Sequence, residues 1–256
     1  MRLLSYNIRY GGVGREAALA RVIAAAEPDL VLLQEATRPE AVARIGRLAG
    51  MKEWRSQSRR SLAFLSREPV AHAAWHRPRL SQHAFLEIVP GGTQLRVFGL
   101  HLSAIHSAWT ERRRLFELRA LLRTIVEHQR GFHVLAGDFN TLAPGARLDV
   151  KRLPPRLRPF VWMSGGRIKW RTIQSLLAAG YADAYRLHHA MAPGHSFPTW
   201  DPHIRLDYLF VPKPFADRIA SCDIVAHPDA AVASDHFPLV AELTLGGGTG
   251  SSGSGQ

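Results

Sequence analysis

A run of apolar residues in this chain ends on an acid and an amide. The stretch FHVLAGDFN, residues 132–140, places Asp138 and Asn140 two positions apart. Because alternate side chains of a strand point to the same face, these two share one face and Phe139 lies on the other. An amide buried without a hydrogen-bond partner costs on the order of 2–7 kcal/mol. Both polar side chains therefore need a hydrogen-bond partner. A capped turn would supply one without any functional role.

Other strand ends and turns in the chain also present polar side chains. Taken singly, each allows a structural explanation, such as a turn cap for Asn7, a satisfied core histidine for His101, or an ion pair of Asp207 with Arg205. A functional site requires that the fold gather these ends in one place. The residues concerned are Asn7, Glu35, His101, Asp138, Asn140, Asp207, Asp235 and His236.

The hydrophobic pattern predicts the elements that must position these residues. Strands are expected at residues 1–7, 29–35, 61–66, 83–89, 94–102, 132–140, 204–211, 222–227 and 234–245. Helices are expected at residues 15–26, 39–50, 110–128 and 172–180. Nearly continuous apolar strands are covered on both faces. We therefore expect sheets packed together with helices outside, and the polar strand ends at one rim.

Six segments, in this order, resemble the endonuclease/exonuclease/phosphatase superfamily, which includes DNase I, abasic-site endonucleases, neutral sphingomyelinases and inositol-polyphosphate 5-phosphatases. The segments are YNIRYGG, LVLLQE, GLHLSA, VLAGDFNT, RLDYLFV and ASDHFPLVAEL. The resemblance runs from Leu3 to about Leu245, and we expect one domain over residues 1–245. It implies an α/β fold, a DNase I-like four-layer sandwich of two mostly antiparallel sheets flanked by helices, with the site at one edge of the sheets.

The resemblance also implies hydrolysis of a phosphate ester with a divalent cation, Mg²⁺ or Mn²⁺. A hard cation held by oxygen ligands neutralises the charge that develops on the leaving oxygen, and the carboxylate of Glu35 suits such an ion. By the same resemblance, Asn7 and Asp235 would lie beside the metal. The expected metal residues are therefore Glu35, Asn7 and Asp235.

Catalytic roles for the remaining residues follow from the resemblance as well. Asp138 would orient or deprotonate the attacking water, and Asn140 would hold the phosphate. His236 would donate to a phosphoryl oxygen, oriented and kept protonated by Asp207. His101 would be a second donor, and Asn7 would also lie beside the phosphate. The residue types do not decide which group acts as the base.

Residues 145–171 form a basic, irregular segment that contains tryptophans. Such a segment could hold a nucleic-acid backbone and stack bases, rest on an anionic lipid surface, or be a solvated insertion packed on the body. Its Arg and Lys residues are Arg147, Lys151, Arg152, Arg156, Arg158, Arg167, Lys169 and Arg171. The candidate substrate-binding residues are Arg9, Arg147, Lys151, Arg152, Trp162, Arg167, Lys169 and Trp170.

Composition limits the partners without choosing among them. The chain has 256 residues, with 33 Lys and Arg against 21 Asp and Glu, for a formal net charge of +12. Such a surface attracts phosphates, nucleic acid or anionic membranes. The one cysteine, Cys222, excludes an intrachain disulfide framework and a cysteine-rich zinc site. We expect a monomer without a protein partner.

We expect a cytoplasmic protein by default. The N-terminal residues do not resemble a signal peptide, and no apolar run approaches the length of a membrane span. Residues 246–256, GGGTGSSGSGQ, have the composition of a flexible linker or a cloning remnant and carry no apolar residue that could hold them to the domain.

Two departures from the superfamily pattern concern the substrate. Arg9 stands where abasic endonucleases of the exonuclease III type carry an acid, and GLHLSA stands where they carry a tyrosine motif. The sequence thus favours the DNase I, sphingomyelinase and phosphatase side over dedicated abasic repair. We predict a metal-dependent phosphodiesterase acting on DNA or RNA. A phospholipid or small phosphate-ester hydrolase is the alternative. A catalytically silent nucleic-acid-binding module is disfavoured, because every catalytic position is filled.

Overall fold

The computed structural model describes most of the chain. The described residues are 1–79, 81, 83–104, 108–146, 149–152, 155, 158–163 and 170–245. The candidate substrate-binding residues Arg147, Arg167 and Lys169, the basic residue Arg156 and the tail 246–256 lie outside them.

The described residues form twelve strands and seven α-helices. The strands are β1 (Arg2–Asn7), β2 (Leu30–Gln34), β3 (Glu53–Ser56), β4 (Ala63–Ser66), β5 (Val70–His76), β6 (Phe85–Pro90), β7 (Arg96–His101), β8 (His133–Asp138), β9 (Tyr181–Asp183), β10 (Asp207–Pro212), β11 (Ile219–Ile224) and β12 (Leu239–Leu243). The α-helices are α1 (Glu16–Ala25), α2 (Pro39–Leu48), α3 (Ala108–Thr124), α4 (Arg158–Met163), α5 (Arg171–Ala178), α6 (Ala184–His188) and α7 (Ala230–Ala233). No described helix is long and apolar enough to cross a membrane.

The strands form two six-stranded sheets. The first sheet has the order β11-β12-β1-β2-β4-β3, and the second has the order β5-β6-β7-β8-β10-β9. Each sheet contains one parallel pair near its centre, β1 with β2 and β7 with β8. Every other described pairing is antiparallel. Both sheets are therefore mostly antiparallel, as the resemblance implied.

Apolar side chains join four layers. Leu32 of the first sheet and Leu86 of the second belong to one buried cluster between the sheets. On the outer face of the first sheet, Leu19 of α1 packs into a second cluster. On the outer face of the second sheet, Leu118 of α3 and Ile173 of α5 form a third. Burial of apolar area on both faces of both sheets stabilises the layers, and the expected four-layer α/β sandwich is confirmed.

Three strands, β3, β5 and the three-residue β9, were not expected from the sequence. The four residues of β3 are partly or fully exposed and include two charges, and β5 carries two histidines and three alanines. Neither β3 nor β5 has a clear apolar alternation, and all three strands lie at sheet edges, where one side of the strand is unpaired. The helix expected at 110–128 begins earlier and ends at Thr124, and residues Val126–His128 form a short 3₁₀ turn. Consecutive β-branched residues at 124–126 disfavour a continued α-helix.

The register of the paired strands places their polar end residues at one rim of the sandwich. Asp138 ends β8, and its neighbours across the second sheet are His101 at the end of β7 and Asp207 at the start of β10. In the first sheet Asn7 ends β1 opposite Gln34, the residue before Glu35. The predicted gathering of these strand ends is therefore confirmed.

Candidate active site

The carboxylate of Asp138 lies at the centre of the rim, and both of its oxygens accept hydrogen bonds. Its side chain is about 1% exposed. Oδ2 accepts from Nδ2 of Asn7 at 3.0 Å and from Nδ2 of Asn140 at 3.2 Å, and Oδ1 accepts from the backbone N–H of Asn140 at 2.8 Å. Nδ2 of Asn140 also donates to the carbonyl of Leu102 at 3.0 Å. The polar end of β8 is thus met by groups of the fold, including an amide from the opposite sheet.

Asn7 also contacts Glu35. Its Nδ2 lies 3.3 Å from Oε1 of Glu35, and the second carboxylate oxygen of Glu35 accepts from the backbone N–H of Tyr10 at 2.6 Å. The backbone N–H of Arg9 donates to Oδ1 of Asn7 at 2.9 Å. The turn after β1 therefore fixes both the amide and the carboxylate.

Several backbone positions at this rim adopt the left-handed region. The φ angles are 50° at Arg9, 48° at Tyr10, 56° at Glu35 and 52° at Asn140. Residues other than glycine rarely adopt this region, and such strain concentrates at functional sites where surrounding contacts maintain it.

His236 and Asp207 form a buried pair. Nδ1 of His236 lies 2.9 Å from Oδ2 of Asp207, and the ring of Phe197 lies 4.8 Å from the imidazole between centroids. Burial opposes a charge on His236, but the charge and hydrogen bond of Asp207, with further attraction from Asp138 and Asp235, raise its pKa to about 10. The ring is therefore an imidazolium at neutral pH, and its Nε2 lies 3.9 Å from Oδ2 of Asp138.

His101 approaches the same carboxylate in the opposite charge state. Its Nε2 lies 3.9 Å from Oδ2 of Asp138, and its Nδ1 is buried with no hydrogen-bond partner among the described residues. Burial lowers the pKa of His101, and the charge of Glu35 offsets only part of this. Burial also raises the pKa of Asp138 well above its usual range, a rise that the charge of His236 opposes in part. One charged and one neutral imidazole thus face a carboxylate of increased basicity.

Asp235 lies at the edge of the site beside Arg9. Oδ2 of Asp235 is 3.4 Å from Nε of Arg9, and Oδ1 is 3.4 Å from Oγ of Ser234. The Ser234 hydroxyl donates to the carbonyl of Asn7 at 2.6 Å. The loop that carries Asp235 and His236 is therefore held directly against the end of β1.

The loops after His101 and Asn140 are both held by α3. Nη1 of Arg114 donates to the carbonyl of Ser103 at 2.7 Å, and Arg114 pairs with Glu111 at 2.9 Å. Glu111 in turn accepts from the hydroxyl of Thr141 at 3.0 Å. This buried ion pair fixes two strand ends at once, although neither residue was singled out in the sequence.

Two exposed aromatic rings adjoin the site and were also missed. The guanidinium carbon of Arg9 lies 5.3 Å from the ring centroid of Tyr10 and 6.0 Å from that of Trp200. Tyr10 is 70% exposed and Trp200 is 60% exposed. The proximity of Tyr10 to Asn7 in the sequence was a usable signal. Trp200 gave none, because its loop reaches the rim only through tertiary structure.

The basic segment is partly described. Arg152 forms an ion pair with Asp201, its Nε 2.9 Å from Oδ2, so this part of the segment contacts the loop of Trp200. Lys151, Trp162 and Trp170 are exposed, and no described hydrogen bond or ion pair joins their side chains to the residues of the rim.

The donors at the rim suit a hard cation. Asp138, Asp207 and His236 could hold a metal ion, since one ligand atom from each lies within 4.8 Å of the others. Oδ1 of Asp207 is buried without a hydrogen-bond partner among the described residues. His236 would have to lose its proton to be a ligand there. Glu35 and Asp235 offer further oxygen donors, which Mg²⁺ and Mn²⁺ prefer.

Comparison with known families agrees with this geometry. A sequence profile of the Endonuclease/Exonuclease/phosphatase family matches residues 4–236. The chain belongs to this family. The family unites phosphoester hydrolases, and the buried Asp–Asp–His group and the two asparagines lie within the matched residues. No curated protein sequence matches the chain significantly.

Solved structures share the endonuclease/exonuclease/phosphatase fold with the chain. An AP endonuclease from Archaeoglobus fulgidus is 18% identical, with a TM-score of 0.74 over 96% of this chain and 100% of that one. A variant of the 3′ phosphatase NExo from Neisseria, bound to a product DNA hairpin, is 17% identical, with a TM-score of 0.69 over 95% and 99%. A protein of this family from Beutenbergia cavernae is 22% identical, with a TM-score of 0.68 over 96% and 72%.

Proposed function

We propose that the protein is a divalent-metal-dependent phosphodiesterase that cleaves nucleic acid. One observation carries the proposal: the Asp138 carboxylate, whose pKa is raised by burial, faces Nε2 of His236 and Nε2 of His101 at 3.9 Å each. A base of increased basicity beside an imidazolium donor is the arrangement that general acid–base chemistry on a phosphodiester requires.

Each residue of the rim has a role in this proposal. Asp138 orients the attacking water and accepts its proton, while His236 donates to a phosphoryl oxygen and Asp207 keeps His236 charged. His101 is a second donor to the phosphate through Nε2, 3.9 Å from Asp138. Asn140 fixes Asp138 and lies beside the phosphate. Because the donors are buried and held by the fold, they need little reorganisation during the reaction.

Glu35 is the proposed centre of the metal site. Glu35, Asn7 and Asp235 would hold Mg²⁺ or Mn²⁺, and all three offer oxygen atoms. When bound, the ion neutralises negative charge on the phosphate and the leaving oxygen. Asn7 contacts both Glu35 and Asp138, so it holds the proposed metal residue and the proposed base in a fixed relative position.

Charge and exposed rings favour nucleic acid as the substrate. The net charge is +12, and Tyr10 and Trp200 present exposed rings whose centroids lie 5.3 Å and 6.0 Å from the guanidinium carbon of Arg9. Bases stack on such rings without sequence preference, and arginine contacts the backbone. The similarity to NExo, which was solved with a product DNA hairpin, supports the same substrate class.

A substrate panel with site variants tests the proposal. The purified protein, with Mg²⁺, Mn²⁺ or EDTA, is assayed on single- and double-stranded DNA, RNA, sphingomyelin and inositol phosphates. Glu35→Ala and His236→Ala should lower kcat on nucleic acid by ~10²–10⁴-fold. Glu40→Ala and His72→Ala, at exposed positions, serve as matched controls and should retain activity.

The outcomes separate the candidate functions. Hydrolysis of sphingomyelin or an inositol phosphate with nucleic acids untouched would replace the proposed substrate. Binding of DNA without hydrolysis of any substrate would indicate a silent binding module. Full activity of Glu35→Ala or His236→Ala would remove the site assignment.

A further inference from the structure

A basic cleft of about 430 Å³ opens beside the candidate active site. None of the described residues that line it is acidic. Its three arginines form no ion pair among the described residues, and Nε of Arg77 donates to the carbonyl of Ser81 at 3.3 Å. The lining residues that matter here are Arg59, Arg60, Ser61, Trp75, Arg77 and His83.

A tight turn between β3 and β4 carries two of the arginines. The backbone N–H of Arg60 donates to the carbonyl of Gln57 at 3.0 Å, and Arg59 has a left-handed φ of 62°. Across the cleft, Nε1 of Trp75 donates to the carbonyl of Leu62 at 2.9 Å. Hydrogen bonds to backbone carbonyls thus hold both the turn and the Trp75 side chain in place on the walls of the cleft.

The cleft adjoins the active site through both sheets. The carbonyl of Ser61 accepts from the N–H of Ala36, the residue after Glu35, at 2.9 Å. On the second sheet, the rings of His83 and His101 lie 5.9 Å apart between centroids. A group bound in the cleft would therefore lie next to both the proposed metal residue and a proposed phosphate donor.

We propose that this cleft binds a second phosphate of the nucleic-acid strand, next to the phosphate that is hydrolysed. Guanidinium groups bind phosphate oxygens in a planar, two-point geometry, and no carboxylate of the described residues pairs with these three arginines. A phospholipid with one phosphate cannot occupy both places, whereas a strand presents phosphates in succession. The inference rests on the proposed function and deepens it, because it explains how a strand would be distinguished from a single phosphodiester.

The test compares a strand with a substrate that has one phosphate. The variant is Arg59→Gln with Arg60→Gln, and the control is Arg123→Gln with Arg130→Gln, exposed arginines in the last turn of α3 and in the segment before β8. On a short single-stranded DNA, the cleft variant should have a KM ~10–100-fold higher than the unmodified protein, with kcat nearly unchanged. The slope of log KM against log salt concentration should also fall by about 1 for each phosphate contact that is lost. On bis(p-nitrophenyl) phosphate its kcat/KM should match that of the unmodified protein.

Three results would overturn the cleft assignment. They are an equal loss on both substrates, no loss on DNA, and an equal loss in the control variant. An inositol polyphosphate that competes with DNA in the unmodified protein but loses no potency in the cleft variant would also contradict it.

A binding measurement keeps this proposal separate from the proposed function. If the unmodified protein hydrolyses no phosphodiester, the proposed function fails, and anisotropy of fluorescent single-stranded DNA in EDTA still tests the cleft. Weaker binding by the Arg59→Gln, Arg60→Gln variant than by the control would support the cleft. Equal binding would overturn it.

Discussion

Nδ2 of Asn7, at the end of a strand of the first sheet, donates to Oδ2 of Asp138, at the end of a strand of the second sheet, over 3.0 Å. This hydrogen bond joins the two halves of the sandwich at the place where both present polar side chains. Its partners are both about 1% exposed. A buried bond between sheets constrains their relative position in a way that apolar packing alone does not.

Removal of that amide should lower both stability and activity. Asn7→Ala leaves Oδ2 of Asp138 with one fewer donor in a buried place, and we expect a loss of about 1–3 kcal/mol in the free energy of unfolding. Urea unfolding in EDTA measures it. Asn7→Asp should be worse, because it places a third carboxylate between Glu35 and Asp138. An Asn7→Asp variant more stable than Asn7→Ala would contradict this account of the contact.

The pair of His236 and Asp207 should stabilise the fold in a pH-dependent way. The folded pKa of His236, about 10, lies above its ordinary value of 6.5. The contribution is therefore complete below pH 6.5 and is lost as the pH rises through about 10. The difference in unfolding free energy between the unmodified protein and Asp207→Asn, measured in urea with EDTA, should shrink across this window. A difference that grows with pH would show that the pair does not hold a proton.

Gly137 should tolerate no side chain. Its φ is +146°, and an added Cβ would lie 1.9 Å from the carbonyl oxygen of Leu100 on the neighbouring strand. Because that atom belongs to the backbone, relief requires a shift of β7 or β8, and Gly137→Ala should cost more than about 3 kcal/mol or prevent folding. Gly131→Ala is the control, since its nearest atom would be 3.7 Å away. Equal thermal midpoints for the two variants would disprove the steric argument.

Trp200 should contribute to binding of the strand rather than to chemistry. Stacking of one base is worth about 1–3 kcal/mol, so Trp200→Ala should raise KM for single-stranded DNA by ~5–150-fold. Hydrolysis of bis(p-nitrophenyl) phosphate should not change. Trp162→Ala, at a position 80% exposed in the basic segment, tests whether that segment also contributes. If only Trp162→Ala impairs DNA cleavage, the base-binding surface lies on the segment and not beside Arg9.

The fold and the clustering of polar residues at one rim could be predicted, because apolar runs and the polar residues that end them are features of the local sequence. Apolar segments that end on Glu35 or Asp138 can be recognised in the sequence itself. The order of these motifs along the chain matches that of a known family. Trp200 and Arg59 were not found, because each lies on a loop whose position is set by other parts of the chain. The resemblance implied a protonated His236 beside Asp207, whereas the lowered pKa of His101 was not expected, because burial in the folded chain causes it.

Metal binding should distinguish the two places where the rim could hold a cation. An ion that binds only the folded protein raises its thermal midpoint. We expect Mn²⁺ to raise the midpoint of the unmodified protein in the absence of substrate, and Glu35→Ala to abolish the rise. Glu40→Ala, an exposed carboxylate on α2, is the matched control and should preserve it.

The same experiment with Asp207→Asn decides between Glu35 and the buried Asp138, Asp207 and His236 group. Because the raised pKa of His236 keeps a proton on its ring at neutral pH, that group should bind the ion poorly. Asp207→Asn should therefore retain the Mn²⁺-dependent rise in midpoint. A rise that survives in Glu35→Ala but disappears in Asp207→Asn would place the cation at the buried group, and His236 would then act as a metal ligand and not as the proton donor.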